Sequence, residues 1–292
     1  MLIKAPAKIN LTLRILSKRA DGYHEISSFM RAISLFDEVG IAVIEVERES
    51  SQEILLRVLP EEAGLPEGPG NLAYRAAQLM LDRRGGRFYR IEIDLVKSIP
   101  VAAGLGGGSS DAAAVLLGLA KELAPEAKLK DIAAWGAKLG MDVPFCVYAC
   151  AEANPELGYE GAGAALAEGA GETVTPKGGQ GKARVVLVKP EAAIRTKDIY
   201  ELYDAWEGGS ADSENDLQGP CREAWPEVGE TLDALNAICA EQGAAGAKVQ
   251  MSGSGPAVFA WFDEAAAGAA ERVAACAKTA FKRLPVYLIE AL

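Results

Sequence analysis

A glycine-rich run at residues 100–114, PVAAGLGGGSSDAAA, limits the structure of this chain more than any other segment. A β-like segment at 89–96 precedes the run, and an Ala/Leu-rich helical pattern at 111–123 follows it. Glycine permits positive φ angles and lets a ligand approach the backbone closely. A glycine loop that leads into a helix start presents N–H groups at the positive end of the helix dipole. The run therefore predicts a phosphate-binding loop made of main-chain amides, with a flexible linker as the alternative.

Two common phosphate-binding patterns do not fit this run. A dinucleotide-binding loop needs G-x-G-x-x-G, but the sixth position counted from Gly104 is Ser109. A Walker A loop needs Gly-Lys followed by Ser or Thr, and this region contains no such triplet. The loop is therefore of a different type.

Composition narrows the function classes. The chain has 292 residues, a net charge of -11 and a pI near 4.8, which argue against a nucleic-acid binder or a basic membrane-surface protein. Its five cysteines are scattered and include no C-x-x-C pair, so we expect reduced thiols in the cytoplasm and no zinc site. No apolar run is long enough to span a membrane. We therefore expect small-molecule partners, no nucleic acid, no membrane, and a monomer or homodimer.

The pattern of elements predicts an α+β fold. Strands and helices mix without regular βαβ alternation. A change of composition at 149–183 indicates an irregular connection with hairpin elements. The break near residue 180 predicts two lobes, 1–180 and 181–292, with a ligand cleft between them.

The first candidate catalytic or binding residues are Lys8, Asn10 and Asp142. Lys8 and Asn10 lie two apart on a predicted strand, so both side chains share one face and could bind an anion and a hydroxyl. A solvated strand face is the alternative. Asp142 lies between a helix stop and a predicted apolar strand, where a carboxylate needs a partner such as lysine. It is a turn or N-cap residue, or else a general base.

Two further turns are candidate ligand-binding segments. Tyr23 and the chain's single histidine, His24, follow an Asp-Gly turn, and could stack on a base and hydrogen-bond to its edge. A lone histidine is more often an ordinary surface or core residue. The glycine turn in MSGSGPAVFA, 251–260, forms a tight hairpin or faces phosphate.

In this order and spacing, APAKINL, DGYHE, PVAAGLGGGSSDAA, GMDVPF and SGSGPAVFA resemble the GHMP small-molecule kinases, and within them the 4-diphosphocytidyl-2-C-methyl-D-erythritol kinases. The resemblance covers nearly the whole chain. It implies a two-lobed fold with an ATP-binding domain at 1–180, which carries the glycine-rich phosphate loop, and a substrate-binding domain at 181–292. The implied reaction is transfer of the γ-phosphoryl group of ATP to the 2-hydroxyl of the methylerythritol unit in non-mevalonate isoprenoid biosynthesis. The resemblance further implies Mg²⁺, held mostly by phosphates and water.

The resemblance also implies roles for individual residues. Asp142 would be the base and Lys8 its charged neighbour. His24 and Tyr23 would read the cytosine, Tyr200 would stack on it, and Asn10 would hold the erythritol or phosphate end. The implied ATP-binding residues are Asn71 and Lys97 near adenine, and Pro100, Gly104, Leu105, Gly106, Gly107, Gly108, Ser109 and Ser110 around the phosphates.

The sequence departs from the family pattern in two places. The segment near 149–163 is longer, by about fifteen residues, than the hairpin expected after the DVPF block, and these residues could alter the mouth of the cleft or a dimer contact. Arg195 and Lys197 stand where the family often has proline. Two other functions stay open: a GHMP kinase for another small alcohol, and a nucleotide-binding regulator without turnover.

Overall fold

The computed structural model describes residues 1–47, 53–84, 88–178, 181–208 and 213–292. Helices and strands mix along the chain, which confirms the α+β prediction. The strands are β1 Leu2–Asn10, β2 Arg14–Lys18, β3 His24–Val46, β4 Glu53–Leu59, β5 Phe88–Val96, β6 Ala164–Gly169, β7 Thr173–Pro176, β8 Ala183–Val188, β9 Lys248–Met251, β10 Val258–Asp263 and β11 Val286–Glu290. The helices are α1 Leu72–Arg84, α2 Gly107–Leu123, α3 Leu129–Gly136, α4 Val143–Ala153, α5 Thr196–Ala205, α6 Gln218–Ala224, α7 Pro226–Glu241 and α8 Ala267–Ala280. In these described ranges, no helix is both long and apolar enough to cross a membrane.

The chain divides into two compact units, and each contains several stretches of sequence. The first unit consists of Met1–Lys8, Leu35–Val101 and Gly106–Gly178. The second unit consists of Ile9–Ser34, Ala102–Leu105 and Gly179–Leu292.

Helix α2 is the centre of the first unit's core. It is buried without interruption from Ser110 to Ala120, and it packs on α1, α3 and α4. On the sheet side, a Cβ at Gly118 would lie 2.6 Å from Cδ1 of Ile41 and 2.9 Å from Cδ1 of Ile3. Only glycine lets the helix approach the strands this closely. These strands belong to a sheet in which β5 pairs antiparallel with the second half of β3 and parallel with β4.

The second unit is built on an antiparallel sheet in the order β11-β8-β10-β9. Its alternating apolar residues, such as Val186 and Val258, form a core with residues of the helices, such as Leu232 and Val273. Strand β2 pairs with the beginning of β3 at the end that carries His24.

Several predicted elements need correction. Asp142 precedes a helix, α4, rather than a strand, with Pro144 in the first turn where its missing N–H is tolerated. An apolar run that is buried on all sides has no period that distinguishes a strand from a helix. The helix after the glycine loop begins at Gly107 instead of residue 111, and α6 was not predicted.

The segment near 149–163 is anchored in the first unit. It contains the end of α4, where Cys150 and Ala151 are buried, and buried Asn154 exchanges two hydrogen bonds with the backbone of Lys4 at 2.8 and 2.9 Å. The predicted hairpin follows as β6 and β7, which pair antiparallel. The rest of the 149–183 prediction includes residues 179–180, which lie outside the described residues.

Candidate active site

The predicted phosphate-binding loop leads directly into α2. Gly106 is the N-cap of this helix, at φ 70° and ψ 15°, a left-handed conformation that favours glycine. The N–H groups of the first helical turn have no partner within the helix, so they can bind an anion. A Cβ at Gly106 would lie 2.9 Å from Cγ of Lys8. The helix start and the Lys8 side chain are therefore in close contact, and a larger residue at 106 would push them apart.

Lys8 and Asp142 form an ion pair in the first unit. Nζ of Lys8 lies 3.4 Å from Oδ2 of Asp142, and the Lys8 residue is only 4% exposed. Asp142 is the N-cap of α4, but its side chain makes no capping hydrogen bond and is 33% exposed. The carboxylate is thus open to solvent beside a buried ammonium group, an arrangement that suits a general base.

Lys97, which the resemblance assigns to the surroundings of adenine, has its ammonium in a second, buried charged cluster, and the two acidic members of this cluster were not predicted. The ammonium of Lys97 donates a hydrogen bond to Oδ2 of Asp111 at 2.6 Å and another to Oδ2 of Asp37. Burial lowers the pKa of Lys97, but the two carboxylates outweigh it and leave this pKa raised. Burial and the charge of Asp37 together outweigh the opposing charge of Lys97 and raise the pKa of Asp111 to about 8.

Several residues predicted to bind ATP have structural partners. Asn71 accepts the N–H of Ala73 through Oδ1 at 2.9 Å, which caps α1, and its amide donates to the carbonyl of Pro66. Ser110 is fully buried, with Oγ at 3.6 Å from Sγ of Cys150. Leu105 is also buried, whereas Ser109, Pro100 and Gly108 keep some exposure.

The buried thiols are not nucleophiles. All five cysteines are free. Burial, followed by the charge of Asp142, raises the pKa of Cys146 well above its usual range. Burial also raises the pKa of Cys150 to about 12 and that of Cys239 to about 11. Because the thiolate is the reactive form, these side chains are inert near neutral pH.

The second unit brings together His24 and Tyr200, as the sequence predicts. Their rings stack with centroids 5.0 Å apart at an interplanar angle of 28°, and Tyr203 meets His24 edge-on. Nε2 of His24 lies 2.7 Å from Oδ1 of Asp204, whose other oxygen accepts from Lys18 at 2.5 Å. Hydrogen bonds from Lys18 and then His24 lower the pKa of Asp204. Asp204 was missed because a carboxylate on an exposed helix face gives no sequence signal.

Tyr23 and Asn10 lie in the second unit with different exposure. Tyr23 is 53% exposed, and its backbone N–H binds Asp21 in the predicted turn. Asn10 is buried and donates from Nδ2 to Oγ of Ser28 at 2.7 Å. The ring of Tyr23 is therefore accessible to a ligand, whereas the side-chain amide of Asn10 already donates to Ser28.

The glycine turn after β9 holds the 102–105 segment. A Cβ at Gly104 would lie 2.4 Å from the carbonyl oxygen of Ser252, and Oγ of Ser252 donates to the carbonyl of Gly104 at 3.2 Å. Asn215 donates to the carbonyls of Met251 and Gly253, which fixes the turn from the other side. Close packing therefore explains the glycine at 104.

Comparison with known proteins identifies the family of the chain. The models for the GHMP kinases N terminal domain and the GHMP kinases C terminal domain match residues 71–150 and 192–279. A 4-diphosphocytidyl-2-C-methyl-D-erythritol kinase of Geobacter metallireducens is 37% identical over 290 residues, with 94% of each chain covered. One of Geobacillus kaustophilus is 36% identical, with 88% of this chain and 86% of the relative covered.

A crystal structure of 4-(cytidine 5'-diphospho)-2C-methyl-D-erythritol kinase matches this fold with a TM-score of 0.72 and 31% identity, covering 99% of both chains. A homoserine kinase from Cytophaga hutchinsonii has a TM-score of 0.67 at 16% identity, which shows a shared fold alone. The chain belongs to the GHMP kinases and, within them, to the family of 4-diphosphocytidyl-2-C-methyl-D-erythritol kinases.

Proposed function

We propose that this chain is an ATP-dependent kinase that phosphorylates the 2-hydroxyl of 4-diphosphocytidyl-2-C-methyl-D-erythritol, a step of non-mevalonate isoprenoid precursor synthesis. The relatives that are named as kinases of this compound support the assignment of the substrate. The observation that carries the chemistry is the Lys8–Asp142 pair, with its solvent-accessible carboxylate, next to the amides of the glycine loop.

In the proposed mechanism, Asp142 receives the proton of the substrate hydroxyl as its oxygen bonds to the γ-phosphorus of ATP. The bond between that phosphorus and the bridging oxygen of the β-phosphate breaks, and ADP leaves. The ammonium of Lys8 stabilises negative charge on the transferred group. Phosphoryl transfer depends mainly on positioning and on charge stabilisation, and these residues supply both.

The glycine loop is the proposed site for the ATP phosphates. Gly106 and Gly107 leave space where a side chain would meet Lys8 and Ile99, and the first-turn amides of α2 supply the donors. Bound Mg²⁺ would offset the charge of the phosphates. Among the residues that the structure describes, no three His, Cys, Asp or Glu side chains form a metal-binding group, so we assign no step to a protein-bound metal.

We assign the cytosine to the aromatic residues of the second unit. His24 would hydrogen-bond to the edge of the base, while Tyr200 and the exposed Tyr23 would contact its face. The Asp204 carboxylate would fix the orientation of His24. We further propose that the enzyme works in the cytoplasm as a monomer or homodimer.

A coupled assay of ADP release tests the function. The purified chain is supplied with ATP, Mg²⁺ and, in separate reactions, the cytidyl-methylerythritol substrate, mevalonate or homoserine. We expect turnover with the cytidyl substrate alone. Turnover with mevalonate or homoserine would favour another GHMP activity, and no ADP release with any alcohol would favour a regulator.

A further inference from the structure

Asp37 is a fully buried carboxylate to which the resemblance gives no role. It lies in β3, and its side chain is 0% exposed. Oδ1 accepts the backbone N–H of Ser98 at 2.6 Å and that of Ile99 at 2.8 Å. Its other oxygen, Oδ2, accepts from the ammonium of Lys97. One side chain thus binds three consecutive residues at the point where the chain leaves β5 and enters the glycine loop.

Lys97 connects this point to the other end of the loop. Its ammonium, held by Asp37, also donates to Oδ2 of Asp111 at 2.6 Å. Asp111 lies near the start of α2 and is 1% exposed. Both ends of the loop are therefore bound to one buried cluster. Charged hydrogen bonds of this kind are short and directional, and burial strengthens them.

The cluster is in contact with the part of the loop that matters for phosphate. A Cβ at Gly107 would lie 3.4 Å from Nζ of Lys97 and 3.1 Å from Cγ2 of Ile99. The preceding residue, Gly106, contacts the stem of Lys8. A shift of the cluster would therefore move the first amides of α2 and, through Gly106, the Lys8 side chain.

We propose that Asp37 is a positioning residue for the phosphate loop, which together with Lys97 and Asp111 fixes both ends of the loop so that the amides at the start of α2 are preorganised for the ATP phosphates. This inference rests on the proposed function. Asp37 itself is buried and touches neither ATP nor the alcohol. Its effect is on the affinity for ATP, because amides that must reorganise upon binding lose part of their interaction free energy.

Asp37→Asn tests the proposal. The asparagine oxygen can still accept the N–H groups of Ser98 and Ile99, but the side-chain amide cannot accept from the Lys97 ammonium. Asp94→Asn is the matched control, because Asp94 lies on β5 in an exposed ion pair with Arg57 and is 57% exposed. ATP affinity is measured by titration calorimetry on folded protein, the KM of each substrate is measured kinetically, and amide hydrogen exchange is followed at 97–111.

We expect Asp37→Asn to weaken ATP binding roughly tenfold or more, since small misplacements of positioned groups have effects of this size. The KM for the alcohol should stay unchanged, and exchange should be faster at 97–111 than elsewhere in the first unit. Asp94→Asn should match the wild type. Unchanged ATP affinity, or an equal loss for both substrates, would overturn the proposal.

If Asp37→Asn does not fold, Lys97→Gln replaces it. This variant keeps the two backbone hydrogen bonds of Asp37 and removes the ammonium that joins Asp37 to Asp111, so the same faster exchange at 97–111 is expected. Normal exchange there would overturn the proposal. Failure of the wild-type chain to bind ATP would instead refute the proposed function, so the two failures are distinguishable.

Discussion

Gly106→Ala provides a direct test of the contact between the glycine loop and the catalytic lysine. Gly106 has a φ of 70°, and an L-residue in this left-handed region costs about 1–2 kcal/mol. The new Cβ would also lie 2.9 Å from Cγ and 3.1 Å from Cε of Lys8. Because two atoms along the stem are affected, rotation of the chain end alone does not relieve the clash. The free energy of unfolding should fall by about 1–2 kcal/mol from the backbone strain, and the ammonium should move away from Asp142.

Two other glycines serve as controls for this prediction. Gly108 is in the first turn of α2, where a Cβ would lie 3.8 Å from Cδ1 of Leu72, so Gly108→Ala should stabilise the fold by up to about 1 kcal/mol. Gly68 has no atom within 4 Å of its Cβ position, and Gly68→Ala should leave activity unchanged.

Urea unfolding and the coupled ADP assay provide the measurements. We expect kcat of Gly106→Ala to fall roughly tenfold to a hundredfold, because the loop amides and Lys8 move together. The reasoning would be refuted if Gly106→Ala and Gly108→Ala changed stability in the same direction, or if Gly106→Ala kept the wild-type kcat.

Four further predictions concern the other parts of the structure. Asp142→Asn should lower kcat about 10²-fold or more while calorimetry shows nearly normal ligand binding, and a normal kcat would remove Asp142 as the base. His24→Ala should raise the KM for the cytidyl substrate far more than that for ATP in steady-state kinetics, and equal increases would contradict its assignment to cytosine. Because burial and the charge of Asp37 raise the pKa of Asp111 to about 8 from its usual 3.8, the folded chain holds a proton that the unfolded chain releases. This contribution to the free energy of unfolding is lost as the pH rises from 3.8 to about 8. Asp111→Asn should remove this pH dependence in denaturant titrations, and a variant that keeps the wild-type pH profile would contradict the prediction. Deletion of 150–162 should abolish soluble protein in expression trials, because the segment contains the buried end of α4 and the bonds to Lys4, and a folded deletion product would contradict this.

Motif spacing allowed much of the candidate site to be predicted. Lys8 and Asp142 are far apart in sequence, and the structure pairs them at 3.4 Å. His24 and Tyr200 were assigned to one ligand, and their rings stack. Lys8, His24 and Asp142 belong to motifs whose order and spacing are specific, and Tyr200 was assigned from the same family resemblance, so these residues could be chosen before any geometry was known.

The acidic partners of Lys97 and His24 could not be predicted in the same way. Asp37 and Asp204 stand in ordinary strand and helix patterns, and only their distances to Lys97 and His24 reveal what they do. Helix α4 was predicted as a strand because the run VPFCVYACA is apolar on every side, so that no period is visible. Asn71 was predicted to lie near adenine, and the structure shows that it also caps α1 through a local hydrogen bond with Ala73.

The central claim is that Lys8, Asp142 and the glycine loop transfer one phosphoryl group from ATP to the alcohol. Phosphorus NMR of a reaction with the cytidyl substrate measures this directly. The account predicts one new phosphomonoester at the 2-hydroxyl for each ADP formed, and no such signal with Asp142→Asn on the same time scale. Release of inorganic phosphate in place of that ester, or an ester formed at the wild-type rate by Asp142→Asn, would contradict it.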